Sequence, residues 1–111
     1  MQTYTYCFNQ LRELPEDNSS RLFLSYKDLL ATVGPFELER YATVDHGTIK
    51  AAGPLDACER LFFRYNFQQE TTNYWGRSMS ISDVIELWDN RGPQPVKSVW
   101  YCDRIGFTQI E

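Results

Sequence analysis

Tyr4, Tyr6 and Phe8 alternate with Thr3, Thr5 and Cys7, a period of two that puts three rings on one face of an opening strand over residues 3–8. The stretch 14–20 consists mostly of turn-forming residues and predicts an exposed loop. Ser25 precedes Tyr26-Lys27-Asp28-Leu29-Leu30 as an N-cap, with Asp28 three residues on where Glu is usual; Gly34-Pro35 ends this short helix. Residues 41–44 and 48–50 are β-like on either side of Asp45-His46-Gly47, a pattern that predicts a hairpin turning at His46.

Gly53-Pro54 opens the strongest helical pattern, with Pro at its tolerated first position and Leu55, Cys58, Leu61, Phe62 and Tyr65 forming the stripe expected to pack on a sheet. A polar loop over 66–73 leads through Tyr74-Trp75 to Gly76-Arg77-Ser78-Met79-Ser80-Ile81-Ser82-Asp83-Val84-Ile85. There Met79, Ile81 and Val84 are expected to face inward, alternating with Ser78, Ser80 and Ser82, while Asp83 accepts backbone N–H bonds of a turn. Strands follow over 84–88 and 96–102, joined by a loop with Gly92-Pro93 and Pro95, and a short terminal strand over 107–110. The expected fold is α+β, one domain over residues 1–111, with a mostly antiparallel sheet of about five strands packed by two helices.

Composition supports folding. Of the 111 residues, 42% are hydrophobic and 15% aromatic, far from the aromatic-poor, highly charged make-up of disordered chains. The net charge of -4, with only three lysines among eleven basic residues and no basic run, argues against direct nucleic-acid binding by phosphate neutralisation. Acidic residues concentrate modestly at Glu13, Glu16 and Asp17 and at Glu37 and Glu39, so a nucleic-acid-mimicking surface is a minor alternative to an ordinary solvated one. Cys7, Cys58 and Cys102 are odd in number and lack paired spacing, which suits mostly buried free thiols in a reducing cytoplasm. No apolar run approaches the roughly 20 residues of a membrane span, so a soluble cytoplasmic protein is expected.

Candidate chemistry is sparse. His46 is the single histidine, so neither a histidine-based metal site nor a Ser-His-Asp triad can be assembled. Ser78, Ser80 and Ser82 lack a nearby activating His or Lys. Pairs such as Glu86 and Asp89, or Asp56 and Glu59, have ordinary surface spacings, and no Gly-rich phosphate loop occurs. No catalytic residue, metal or cofactor is assigned. Aromatic residues are in surplus, with Tyr65, Phe67, Tyr74, Trp75, Trp88, Trp100 and Tyr101 more than a small core conveniently buries. Tyr74 and Trp75 either protrude toward a partner or seal the core edge.

Several of these segments together resemble the YodL-like domain family. They are Arg21-Leu22-Phe23-Leu24-Ser25-Tyr26, Tyr41 with the following turn, Phe62-Phe63-Arg64-Tyr65-Asn66, the block 76–85, and the closing Tyr101-Cys102-Asp103-Arg104-Ile105-Gly106-Phe107. The resemblance covers about four-fifths of the chain and departs in two loops, at 90–95 and 67–75. It implies residence on bacterial mobile genetic elements or phages, often in proteins that counter host defences, and supplies no catalytic residues. The expectation is a non-enzymatic, cytoplasmic protein-binding domain whose partner is a host or element-encoded protein, in its sharpest form an inhibitor of a restriction or CRISPR nuclease. Its expected contact residues are Tyr74, Trp75, Arg77, Ser78, Ser80 and Asp83. The alternative is a small-molecule-binding or enzymatic accessory domain that uses loop 77–83 with Asp103 and Arg104.

Overall fold

A computed structural model of the chain describes residues 1–13, 18–68 and 76–111. Among them, strand β1 (Gln2–Leu11) pairs with both β2 (Tyr41–Ala51) and β3 (Val84–Asp89), and β4 (Val96–Cys102) and β5 (Phe107–Gln109) extend the sheet in the order β2-β1-β3-β4-β5. Every pairing is antiparallel. With helices α1 (Tyr26–Thr32) and α2 (Pro54–Phe67), this is the α+β architecture the pattern predicts.

The alternation in β1 explains the two layers. Tyr4, Tyr6 and Phe8 are buried with Ile85, Leu87 and Trp100 beneath Ala57, Cys58, Leu61 and Tyr65 of α2. On the opposite face Leu11, Tyr41, Val84, Val99 and Tyr101 pack against Leu29 of α1 and the apolar residues of its flanking loops. Ser25 caps α1 as expected, its Oγ accepting from the Asp28 N–H at 3.1 Å. The Asp28 carboxylate, however, faces Arg104 rather than closing a capping box. Gly34, at φ 144°, turns the chain away after α1, a conformation that glycine adopts without a Cβ clash.

Two expectations fail. Residues 41–50 do not form a hairpin: Asp45, His46 and Gly47 continue β2 and pair with Phe8, Cys7 and Tyr6. The register shifts between Phe8 and Asn9, so the extra residue is absorbed as a bulge and not as a reversal. Gly47 lies over the Tyr6 ring, where a Cβ would stand in van der Waals contact at 3.4 Å from Tyr6 Oη. The stripe on α2 holds at Cys58, Leu61 and Tyr65 but is rotated at its edges. Ala57 takes a core position, while Leu55 and Phe62 stand 44% and 38% exposed.

Asp45 instead anchors α2 to the sheet. Tyr65 Oη donates to Asp45 Oδ2 at 2.5 Å and lies 2.7 Å from Tyr6 Oη, which also accepts from Arg64 Nη1 at 3.3 Å. Burial, and then the Asp45 acceptor, raises the Tyr65 phenol far above its ordinary value, so it remains a donor throughout the working pH range. Tyr65→Phe is expected to cost about 2 kcal/mol, the typical loss of a hydrogen bond to a charged group, measured by urea unfolding. A loss below about 0.5 kcal/mol would mean that solvent serves Asp45 equally well.

Candidate functional site

Residues 77–83 form a closed polar knot. The Gln10 side chain pairs with the Arg77 backbone much as a strand neighbour would: its Oε1 accepts from Arg77 N at 3.1 Å and its Nε2 donates to Arg77 O at 2.8 Å. Asp83 is fully buried and accepts from Ser80 N at 2.9 Å, from Gln10 Nε2 at 3.2 Å and from Arg77 Nη1 at 3.2 Å. Its own backbone continues the ladder: Asp83 O accepts from Cys102 N at 2.8 Å, and Ser82 N donates to Cys102 O at 2.9 Å. Tyr41 Oη donates to Ser82 O at 2.7 Å, tying the start of β2 to the same turn.

The expected alternation of serines and apolar residues therefore breaks down after Met79. Ser82 is fully buried at φ 85° and Ile81 is half-exposed, because the residues before Val84 make a turn and not a strand. Ser82 Oγ accepts from the N–H of Phe23, itself at φ 61°. Two non-glycine residues in the left-handed region thus support each other, and Phe23 is left 56% exposed, with the Arg77 guanidinium 5.7 Å from its ring centroid.

Of the expected contact residues, Arg77, Ser80 and Asp83 converge in this knot, and Ser78 lies exposed beside it. Tyr74 and Trp75 lie outside the described residues. Asp103 and Arg104 do not join the knot: Asp103 accepts from Tyr26 N at 3.3 Å and from Thr108 Oγ1 at 2.7 Å, and Arg104 reaches Asp28 at 3.5 Å. Asp83 pairs with Arg77, whereas Arg104 pairs with Asp28. A hollow of about 160 Å³ beside Arg77 is lined by Leu11, Arg12, Glu13, Asn18, Ser19 and Leu22, and Asp83 is walled off from it.

A larger hollow of about 520 Å³, lined by Gln10, Leu11, Arg12, Ala42, Val44 and Arg77, adjoins the one beside Arg77, and a groove lined by phenylalanines lies elsewhere. Phe62, Phe63 and Phe67, from the last turns of α2, and Phe107 of β5 line a groove of about 430 Å³ bordered by Glu59, Asp103 and Arg104. Phe62 meets Phe107 edge-on at 6.5 Å between centroids, and Phe63 lies 5.2 Å from Phe67. Phe63 and Phe67 are 52% and 70% exposed, and the nearby Ile105 is 95% exposed. Of the groove residues on α2 only Phe62 belongs to the stripe expected to face the sheet; adjacent phenylalanines at 62 and 63 cannot both do so, and Phe63 with Phe67 makes a second stripe at spacing four.

The model of the YodL-like domain matches residues 5–111. The chain belongs to the YodL-like domain family. No curated protein and no solved structure matches it. In this YodL-like domain no described helix is long and apolar enough to cross a membrane, and no three His, Cys, Asp or Glu side chains among the described residues cluster in a way that could hold a metal ion. Cys58 and Cys102 are buried, and burial pushes the Cys102 thiol up to about 12, which keeps it protonated and unreactive.

Burial raises the Asp83 carboxyl to about 6, against the opposing pull of Arg77, the Ser80 N–H and Gln10. Unfolded, the group titrates near 3.8, so between that value and about 6 the folded chain holds more protons than the unfolded one. Stability attributable to Asp83 should fall as pH rises through this window and level off above it, by roughly 3 kcal/mol. Guanidinium unfolding from acidic to neutral pH should show this slope in the wild type relative to Asp83→Asn, which cannot titrate. Asp83→Ala leaves Arg77 and two buried donors without their acceptor, and should cost about 3–5 kcal/mol.

Proposed function

We propose that this YodL-like domain is a non-catalytic protein-binding domain that docks its partner through the phenylalanine groove between α2 and the β4–β5 hairpin. The observation that carries the reading is the exposure of Phe63 and Phe67 within a concave apolar opening, with Ile105 exposed on the adjoining turn. Scattered exposed apolar residues are ordinary, whereas a grouped patch rimmed by charge marks interaction surfaces. Phenylalanine anchors in a groove bordered by Glu59, Asp103 and Arg104 follow the arrangement of an apolar centre with a polar rim. The contact surface first expected at 77–83 gives way in this reading, because the Asp83 oxygens are consumed within the fold.

The narrower reading places the chain on a mobile genetic element or phage, where it inhibits a host defence nuclease. Its physical support is the net charge of -4, which would speed encounter with a basic nucleic-acid channel. It predicts stoichiometric inhibition that weakens as salt rises. The small-molecule alternative would use the two hollows beside Arg77, with Arg12 and Arg77 as their cations.

Affinity capture from cells of the native host, followed by mass spectrometry, tests the main reading. Phe63→Asp should keep the wild-type circular dichroism and lose capture by about a hundredfold, whereas Ser78→Ala should capture as the wild type does. Equal capture by Phe63→Asp would remove the groove from the interface.

A further inference from the structure

We infer that the groove's occupant in the free protein is a second copy of the chain, joined about a two-fold axis, with Ile105 of each copy seated among Phe63, Phe67 and Phe107 of the other. The inference rests on the groove being a docking surface and names what docks there. Ile105 caps the turn between β4 and β5 and is 95% exposed. That turn is well held. Asp103 N donates to Gly106 O at 2.9 Å, Gly106 takes φ 70°, and the Asp103 carboxylate accepts from the N–H groups of Arg104 and Tyr26 and from Thr108 Oγ1. A β-branched side chain on so constrained a tip is a preformed apolar knob with little conformational freedom left to lose on docking.

The knob stands at the rim of the hole. Arg104 and Gly106, its immediate neighbours, both line the groove with Phe62, Phe63, Phe67 and Phe107. A two-fold interface requires one surface to complement itself, and an apolar knob beside an apolar depression meets that condition: a half-turn exchanges the two, burying both knobs at once. Charge agrees with this arrangement. Glu59 borders the groove and Arg104 flanks the knob, so docking brings Arg104 of one copy toward Glu59 of the other. Within its own chain Arg104 reaches Asp28 at 3.5 Å, with both side chains well exposed, a pairing readily exchanged.

Sedimentation velocity on the full chain from about 1 to 200 μM tests the inference. The wild type should pass from monomer to dimer across that range, and Ile105→Asp, at a solvent-exposed tip and folded by circular dichroism, should remain monomeric. Glu59→Arg should weaken the dimer by about tenfold or more, and the double variant Glu59→Arg/Arg104→Glu should recover it. A wild type monomeric at the highest concentration, or a dimer indifferent to Ile105→Asp, overturns the inference. In the first case, capture of a foreign protein that still depends on Phe63 would leave the docking role of the groove intact.

Discussion

The fold depends on one buried carboxylate. An isolated charge with the burial of Asp83 would cost several kcal/mol, and the chain meets that demand with a guanidinium and a backbone N–H from the same turn and a carboxamide from β1. The consequence is topological. After α2 the chain must return to the middle of the sheet and insert β3 between β1 and β4, and nothing in an alternating strand sequence by itself fixes where that insertion begins. Gln10 gripping the Arg77 backbone sets the position, and the Asn9 to Val84 pairing follows directly from it.

This arrangement divides the most distinctive part of the sequence from the surface. Two serines of the block serve the turn with their hydroxyls, Ser80 Oγ accepting from Arg77 Nη1 and Ser82 Oγ from the Phe23 N–H. Side chains used in this way are closed to a ligand. The same turn holds the loop before α1 through Phe23 and the start of β2 through Tyr41, so one knot coordinates both layers and the entry to the central sheet. Opening it would expose unpaired donors on three segments together, which is why it belongs to the stable part of the molecule.

Strands β1, β3 and β4 were legible because alternation and β-branched or aromatic residues agree there, and Ser25 was legible because capping is local chemistry. The Asp45-His46-Gly47 segment misled because its composition suits a turn, while the deciding facts are distant: the segment pairs with Phe8, Cys7 and Tyr6 of β1, and Asp45 accepts from Tyr65. Asp83 was recognisable as a turn acceptor, yet its partner Gln10 lies 73 residues away and has no sequence mark. The groove was missed at the level of rotation about α2. Small Ala57 turns toward the sheet, and this swings the phenylalanines toward solvent.

That rotation bears on function. A helix packed on a sheet needs one apolar stripe, and α2 has it in Ala57, Cys58, Leu61 and Tyr65. Glutamate or lysine at positions 63 and 67 would serve the helix equally well and favour solubility, since phenylalanine has no propensity advantage on an exposed face. The same holds at the hairpin tip, where glycine supplies the positive φ and the adjacent Ile105 contributes no burial. Apolar choices at three exposed positions around one concavity are therefore unaccounted for by packing among the described residues. An apolar surface closing over them from outside the folded unit would account for all three at once.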